Sequence, residues 1–339
     1  MGEQNILKVN PLPTLTWNHL MLNFANLPLE SGSQVKADIP SEFDGIETGM
    51  GEEFVSFIEN HAAAVRVIRA GKGQDLGVIR DENAGTSSEV ILIDAGEDSQ
   101  VTFYSHASEK ACPGTQMTRL VKVIARAGAR VTVIQSQTLG DDVMAADDFG
   151  AVVGDEARVH LIQAELGGKA AFAGGCAALK GYKADFTEET IYFGDGSRRL
   201  DFSYVTRHTG KKTTASILAS GALFGSSDKV YRGSMDFIHG CSKSKGREAE
   251  NVLLFSKEAR NRSIPLILCD EEDVDGQHAA SIGKINKDLM YYLQSRGLTE
   301  SQARQLAVES RFNPVIDEIP DESVRQEIHA SLERRMNLD

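Results

Sequence analysis

The sequence is poor in proline and aromatic residues and contains no long apolar run. It has 8 Pro against 31 Gly among 339 residues, and aromatic residues make up 6% of the chain. This balance favours an architecture of small and β-branched residues with many tight corners. No apolar run reaches the roughly 18 residues that a transmembrane helix requires. The N-terminus lacks a basic region followed by an apolar one, so we expect no signal peptide and a cytoplasmic location.

Positive charge is also scarce. Lys and Arg together number 36, Asp and Glu together number 49, and the formal net charge is −13. A surface of this sign repels phosphate backbones and anionic lipid headgroups. We therefore expect neither a nucleic acid nor a membrane as a partner.

The short motifs of several enzyme classes are missing. No glycine-rich loop ends in Lys-Ser or Lys-Thr, as the phosphate-binding loop of an ATPase does. The chain has no Gly-x-Ser-x-Gly elbow and no His-Glu-x-x-His helix. These absences argue against ATP hydrolysis, serine hydrolase chemistry and zinc protease chemistry in this chain.

Cysteine pairs of the Cys-x-x-Cys type are missing as well. The four cysteines are scattered along the sequence at Cys112, Cys176, Cys241 and Cys269. Such spacing provides no local zinc or iron–sulfur motif. Any metal ligands must therefore converge from distant segments or from another chain.

Between residues 65 and 283 the sequence consists of short β-type runs punctuated by Gly, Asp, Asn or Ser. Helical patterns do not alternate with these runs, which argues against a doubly wound α/β sheet. The runs include Val65–Ile68, Val90–Ile93, Val101–Tyr104, Leu120–Ile124, Val131–Gln135, Val159–Gln163, Ile191–Phe193, Phe202–Val205 and Val252–Phe255.

One seven-residue pattern recurs within this β region. Ala129–Gln135 reads ARVTVIQ, Ala157–Gln163 reads ARVHLIQ 28 residues later, and Ser99–Phe103 precedes the first copy by 30 residues. Coils of this length can stack and bury one continuous core. The repeat therefore favours a β-helix over the alternative, a β-sandwich whose strands share the same alternation.

Helical patterns flank the β region. Residues 1–64 are predicted to be a helical or irregular segment, with a helix over Gly51–Ala64. A second helical domain is predicted from residue 284 to 339. Its first helix, Asn286–Arg296, stops at Gly297, which suits a helix C-terminus.

Two more helices are predicted near the C-terminus. Thr299–Gln302 has the form of a capping box, and Pro320 precedes the last helix. The apolar residues of the last helix recur every four positions, at Val324, Ile328, Leu332 and Met336. This stripe can pack onto the body of the protein or serve as a docking surface for a partner.

Two segments hold candidate metal ligands. His239 and Cys241 lie beside a Lys- and Ser-rich stretch and could bind a soft metal, although an exposed turn without ligands is the competing interpretation. Cys269 precedes the acidic run Asp270–Asp273, and His278 follows it. Because neighbouring strand residues point to opposite faces, these donors cannot all reach one ion, and His278 is the best single candidate.

The stretch Asp273–Leu298 resembles the C-terminal signature of the SufB/SufD family of iron–sulfur cluster assembly proteins. Its two matching elements are the His-Ala-Ala-Ser motif that begins at His278 and the Tyr-x-x-x-Arg-Gly motif that begins at Tyr292. Thr16–Leu20 looks like the family's N-terminal Thr-Trp motif, and Tyr231–Gly233 is similar to a further family segment.

The resemblance implies a right-handed parallel β-helix followed by a C-terminal helical domain. Family members pair, SufB with SufD, and bind an ABC-type ATPase, SufC, through the C-terminal helices. The chain would then be a non-catalytic scaffold whose partners are a SufB-like subunit, or a second copy of itself, and a SufC-like ATPase. The docking candidates on the helices are Leu289, Tyr292, Leu293, Arg296 and Leu306.

Departures from the signature place the chain closer to SufD. SufB has Glu directly after the motif histidine, where this chain has Ala279, and a strand cysteine at the position of Glu250. The resemblance thus implies at most one ligand, His278, for an iron–sulfur cluster held transiently and shared with a partner. Cys241 and Cys269 are further candidate metal ligands.

Two other functions are compatible with the residue pattern. A β-helical enzyme acting on polysaccharide would carry acid pairs in a groove lined by aromatic residues, which are few here. A purely structural partner of an ATPase would have no metal chemistry.

Overall fold

The computed structural model of the protein describes residues 4–16, 18–31, 37–84, 87–110, 112, 114–284 and 287–336. Its central part consists of two parallel eight-stranded sheets, and the chain alternates between them with every strand. Each coil therefore contributes one strand to each sheet. Stacking of these coils forms a β-solenoid of about seven turns, which confirms the predicted parallel β-helix.

Two strands and one helix precede the solenoid: β1 (Gln4–Val9), β2 (Ala25–Glu30) and α1 (Glu52–Asn60). Sheet 1 contains β3 (Ala64–Ala70), β5 (Ser88–Ala95), β7 (Gln116–Ala125), β9 (Met144–Val153), β11 (Ala170–Leu179), β13 (Arg199–His208), β15 (Asp228–Phe237) and β17 (Arg260–Cys269). Sheet 2 contains β4 (Asp75–Arg80), β6 (Gln100–Ser108), β8 (Arg130–Thr138), β10 (Arg158–Glu165), β12 (Asp185–Gly194), β14 (Thr214–Leu223), β16 (Lys245–Leu254) and β18 (Asp275–Gly283). The chain continues with α2 (Lys287–Ser295), α3 (Glu300–Ile316) and α4 (Glu322–Met336).

The repeated sequence pattern corresponds to the stacking register. Arg130 through Gln135 on β8 pair one to one with Arg158 through Gln163 on β10. The repeated glutamines point into the core, where Gln163 Nε2 donates to Gln135 Oε1 at 2.9 Å. A side-chain ladder thus accompanies the backbone ladder and gives the Gln163 amide nitrogen and the Gln135 amide oxygen a partner inside the core.

The corners between sheets 1 and 2 repeat from coil to coil. At one corner position the backbone is left-handed, for example at Gly128, Glu156 and Lys183, with φ values of 71°, 53° and 55°. The amide of each such residue bonds a carbonyl of the next coil, as in Gly128 N to Asp155 O at 2.8 Å. The small and polar residues between the apolar runs are therefore explained by a stack of tight corners.

The N-terminal segment covers the outer face of sheet 1. Phe54, Phe57 and Ile58 of α1 pack with outward-facing residues such as Val90 and Leu120. The predicted helix over 51–64 is present in shortened form, but the residues before it also form an antiparallel hairpin of β1 and β2. In the sequence, Trp17, Leu20, Met21 and Phe24 fall at helical spacing and predict a helix. The described residues of this stretch instead hold a single 3-10 turn over Asn18–Leu20. Trp17 itself lies outside the described residues.

The C-terminal helices α3 and α4 cover the outer face of sheet 2. The four residues of the last apolar stripe, Val324, Ile328, Leu332 and Met336, are buried against strand residues such as Ile162. Packing onto the body, rather than docking of a partner, therefore explains this stripe. The predicted capping box is present, since Gln302 N donates to the Thr299 hydroxyl at 3.1 Å. In the described residues, no helix combines the length and apolarity needed to cross a membrane.

Candidate functional site

One end of the solenoid is uncovered. Within the described residues, β18 pairs only with β16, and all nine residues of β18 are exposed. Its neighbour β17 is partly exposed along most of its length. The last coil thus presents free strand edges and inward-facing side chains to solvent, in contrast to the sealed interior of the coils before it.

His278 lies near the middle of β18 and is aligned with Glu248 of β16. A Cβ at Gly233, on the opposite sheet, would lie 2.7 Å from Glu248 Cδ, so the Glu248 side chain points into the solenoid. Aligned residues of neighbouring parallel strands point to the same face. His278 therefore points to the inward side of the last coil, where it is exposed because no further coil covers it.

A buried polar network surrounds Glu250 of β16, which is aligned with Ala280 of β18. Glu250 forms an ion pair with Lys229 and accepts a hydrogen bond from Tyr192 Oη at 2.8 Å. Ser263 Oγ donates to the other oxygen of the same carboxylate, and Lys229 Nζ lies 3.3 Å from this hydroxyl. Burial lowers the pKa of Lys229, whereas the charge of Glu250 opposes that shift. The network satisfies a buried charge pair across both sheets.

Glu248 differs from Glu250 because no cationic side chain among the described residues forms an ion pair with it. Burial, followed by the neighbouring charge of Glu250, raises the pKa of Glu248 to about 8. At neutral pH this carboxyl group is therefore largely protonated. This buried carboxyl group and the exposed imidazole of His278 occupy the same register position on neighbouring strands.

The two candidate cysteines lie near this end but differ in access. Cys241 is fully buried, and burial and the charge of Glu271 raise the pKa of its thiol. Cys269, at the end of β17, is exposed, and its Sγ donates to the Glu271 carbonyl oxygen at 3.1 Å. The acidic run between them and His278 forms a turn, in which the Glu271 carboxylate accepts from Gly240 N at 2.9 Å.

The donors of this end do not assemble into a metal site within the described part of the chain. Neither His278 nor Cys241 nor Cys269 belongs to a group of three ligand atoms within 4.8 Å of one another. Iron–sulfur clusters are usually held by several thiolates. Among the described candidates, this end offers one exposed imidazole and one exposed thiol, which do not by themselves make up the ligand set of a cluster.

A second exposed feature is helix α2. Its main contacts are with α3, and none of its residues belongs to the core between α3, α4 and sheet 2. Leu289 and Tyr292 are 46% and 53% exposed, and Leu306 of α3 is 45% exposed. Leu293 is half-buried, and the exposed Arg296 guanidinium lies 5.2 Å from the centre of the Tyr292 ring. Of the five predicted docking residues, three lie on α2, Arg296 directly follows that helix, and Leu306 lies on α3.

Sequence reasoning missed the buried partners of His278. Glu248 and Glu250 alternate with Ala249 and Asn251, a pattern that in an ordinary strand indicates a solvated face. Inside a solenoid the same alternation places both carboxylates in the core.

Comparison with known proteins identifies the family. The model of the SUF system FeS cluster assembly SufBD core domain matches residues 78–311. The chain belongs to this family. It is 27% identical over 248 residues to the iron–sulfur cluster assembly protein SufD of Bacillus subtilis, covering 73% of this chain and 57% of that protein.

Mycobacterial members of the family are similar as well. A SufBD family protein of Mycobacterium leprae is 24% identical over 280 residues, which cover 76% of this chain and 71% of that protein. A SufBD family protein of Mycobacterium bovis is 24% identical over 226 residues, which cover 64% of this chain and 57% of that protein. The chain thus spans little more than half the length of two of these three relatives. The predicted resemblance to the SufB/SufD family, closer to SufD, is confirmed.

Proposed function

We propose that this chain is a non-catalytic scaffold subunit of a SUF-type iron–sulfur cluster assembly complex. In this proposal the last coil pairs with a SufB-like subunit or with a second copy of the chain, and α2 binds a SufC-like ABC ATPase. The observation that carries the proposal is β18, a fully exposed strand with a free edge that presents His278 beside the buried Glu248. Membership of the SufBD core family supplies the biochemical setting.

Strand pairing at β18 is supported by the chemistry of the two free edges. β17 contains Pro265, which has no backbone N–H and interrupts any ladder along that edge. β18 has no proline and carries small or apolar residues from Ala279 to Ile282. An exposed strand of this kind is a ready template for pairing with another chain. Pairing there would enclose His278 between the two subunits.

At such an interface this chain would contribute few ligands to the cluster. Neutral imidazole can bind iron through one ring nitrogen, and Glu248 can exchange a proton with the histidine or with incoming sulfide. The remaining thiolates would come from the partner. The cluster is then cargo that is held transiently at the interface, rather than a resident cofactor of this subunit.

Docking of the ATPase on α2 is supported by the exposed apolar side chains of that helix. Leu289, Tyr291 and Tyr292 are 46%, 75% and 53% exposed. Exposed apolar side chains of this kind are typical of a helix that binds in a hydrophobic groove of a partner protein. The stripe of α4, by comparison, is already used by sheet 2. The docking surface of the proposal is therefore α2 together with Leu306, and not the whole helical domain.

Pairing can be tested with matched changes at the two ends of the solenoid. Ile282 on the β18 edge is 49% exposed, and Val78 on the opposite edge strand β4 is 56% exposed. We expect Ile282→Lys to shift the complex toward monomer in light-scattering measurements with and without a SufB-type subunit, while Val78→Lys leaves assembly unchanged. Equal assembly of the two variants would refute pairing through β18.

The role of the histidine needs a separate readout. We expect His278→Ala to lower the iron and sulfide content after anaerobic reconstitution of the complex, with subunit pairing retained. A full cluster yield in this variant would eliminate the ligand role and favour a purely structural subunit.

ATPase docking is best tested with point variants in α2. Deletion of residues 286–339 should abolish ATPase binding, but it also removes α3 and α4 and exposes their core on sheet 2. Leu289→Asp and Tyr292→Asp alter only exposed side chains and should weaken ATPase capture at least about tenfold. Leu15→Asp, at a loop residue that is 68% exposed, is the control. Undiminished capture by both α2 variants would refute this surface.

A further inference from the structure

A separate group of metal-ligand side chains lies where the turn between α3 and α4 (residues 317–321) meets the outer face of sheet 2. His160 of β10 lies between Glu189 of β12 and Glu318 of this turn. Its Nε2 is 2.9 Å from Glu189 Oε2, and its Nδ1 is 3.6 Å from Glu318 Oε2. One ligand atom from each residue lies within 4.8 Å of the other two, the only such trio of His, Cys, Asp or Glu in the described ranges.

The charges of this trio are poorly balanced. Among the described residues, His160 is the only basic side chain that forms an ion pair with either carboxylate. Burial raises the pKa of Glu318, the charge of His160 opposes that shift, and repulsion by the Glu189 carboxylate adds to it. The hydrogen bond from His160 lowers the pKa of Glu189 itself. The side chains of His160 and Glu189 are only 24% and 22% exposed, which limits screening by water. A cation between the carboxylates would relieve this repulsion.

We propose that His160, Glu189 and Glu318 bind one first-row divalent transition-metal ion, which fastens the α3–α4 turn to the solenoid. One imidazole and two carboxylates suit Zn²⁺, Fe²⁺ or Mn²⁺, whereas Mg²⁺ and Ca²⁺ prefer sites made of oxygen ligands alone. Bonds of about 2.0–2.2 Å place the ligands of a tetrahedral ion roughly 3.3–3.5 Å apart. A single ion binds only one of the two ring nitrogens of His160, so the glutamate side chains must close separations of up to 4.8 Å around that nitrogen. The fourth position remains for water.

This site is independent of the proposed scaffold function. It lies on the outer face of sheet 2, whereas His278 points to the inward side of the last coil. Metal binding at this site would affect the structure of the helical segment, because Glu318 belongs to the turn that connects α3 with α4. An ion bound there would stabilise the docked position of both helices through the free energy of binding.

The test is a titration of the full chain with ZnCl2 after removal of bound metal by EDTA and dialysis. Cys269→Ser and His278→Ala are included in the parent protein, so that the exposed donors of the last coil cannot contribute. We expect one saturable Zn²⁺ site by calorimetry and no comparable Mg²⁺ binding. His160→Ala, Glu189→Gln and Glu318→Gln should each weaken Zn²⁺ binding about tenfold or more. When Co²⁺ replaces Zn²⁺, the parent protein should show a visible absorption band as intense as that of a four- or five-coordinate Co²⁺ ion. The three ligand variants should not show this band.

His106 provides the matched control: its Nε2 lies 3.8 Å from Glu327 Oε1 on the same outer face, and it belongs to no trio of ligand atoms within the described residues. His106→Ala should leave Zn²⁺ affinity unchanged. Zn²⁺ should also raise the thermal unfolding midpoint of the parent but not of Glu318→Gln, whose side chain is 44% exposed and tolerant of change. Absence of saturable Zn²⁺ binding to the parent, or unaltered affinity in Glu318→Gln, would overturn the proposal.

Discussion

Arg119 and Asp147 form an ion pair inside the solenoid, and its removal should be costly. Arg119 Nε lies 2.6 Å from Asp147 Oδ1 and Nη2 lies 2.7 Å from Oδ2, and both residues are fully buried. The guanidinium also donates to the carbonyl oxygens of Ser105 at 3.1 Å and Ser136 at 3.2 Å. One side chain thus joins strands of both sheets. Although burial disfavours its charge, Asp147 holds the pKa of Arg119 above its ordinary value.

The expected magnitude follows from burial. Arg119→Met leaves the Asp147 carboxylate without a counter-ion, and Asp147→Asn does the same to the guanidinium, so each should lower the free energy of unfolding by about 3–5 kcal/mol. The double variant Arg119→Met/Asp147→Leu removes both charges. It should cost less than the sum of the single variants by about 2–3 kcal/mol, because the second change removes an unpaired group.

Urea unfolding followed by circular dichroism measures these differences as midpoint shifts at constant slope. Lys72 and Glu97 supply the control, because their charged atoms are also 2.6 Å apart but their side chains are 73% and 52% exposed. Lys72→Met should produce no measurable shift. A shift as large as that of Arg119→Met would refute the argument that burial decides the effect. Strict additivity in the double variant would refute the coupling.

Two further predictions concern the core. Burial and the charge of Asp81 raise the pKa of Glu89 from its usual 4.5 to about 8. The folded state therefore retains a proton that the unfolded chain releases, and stability falls between these pH values by up to about 1.4 kcal/mol per unit. Glu89→Gln should leave the urea midpoint unchanged at pH 4 and raise it at pH 8, and equal shifts would contradict this. A Cβ at Gly221 would lie 1.9 Å from the Tyr192 ring, whereas Gly283 has nothing within 4 Å. Gly221→Ala should cost about 3 kcal/mol or more, and Gly283→Ala should have little effect in the same titration.

The stacking of the solenoid was largely predictable from local sequence. A coil that repeats at a nearly constant length places like residues above one another, so the match of Ala129–Gln135 with Ala157–Gln163 already contained the register. The helix boundaries near Gly297 and Thr299 were predictable for a similar reason. Both follow from the backbone needs of a helix end, namely a left-handed residue and a side-chain acceptor.

What remained hidden depends on contacts between distant segments. β1 and β2 pair because each strand supplies the backbone hydrogen-bonding partner of the other. A short stretch of sequence does not contain both strands, so local patterns could not predict the pair. The same holds for the trio of His160, Glu189 and Glu318, whose members come from three separate elements. Periodicity could also not decide which apolar helix faces are covered, since the stripes of α2 and α4 differ in burial and not in pattern.

The two ends of the solenoid differ in a way that favours assembly at only one of them. At the first coil, Arg66 and Arg69 lie on the edge strand β3 and Arg80 lies on the edge strand β4. Arg69 forms ion pairs with Glu42 and Asp94, and Arg80 forms one with Asp321, so a strand added there would disturb existing ion pairs. At the last coil, β18 has no lysine or arginine, and its charged residue Asp275 lies at the very start. A strand added at the first coil would have to accommodate these arginines, whereas β18 presents no lysine or arginine to an added strand. In the proposed assembly, the edge that carries His278 is therefore the more suitable one for pairing.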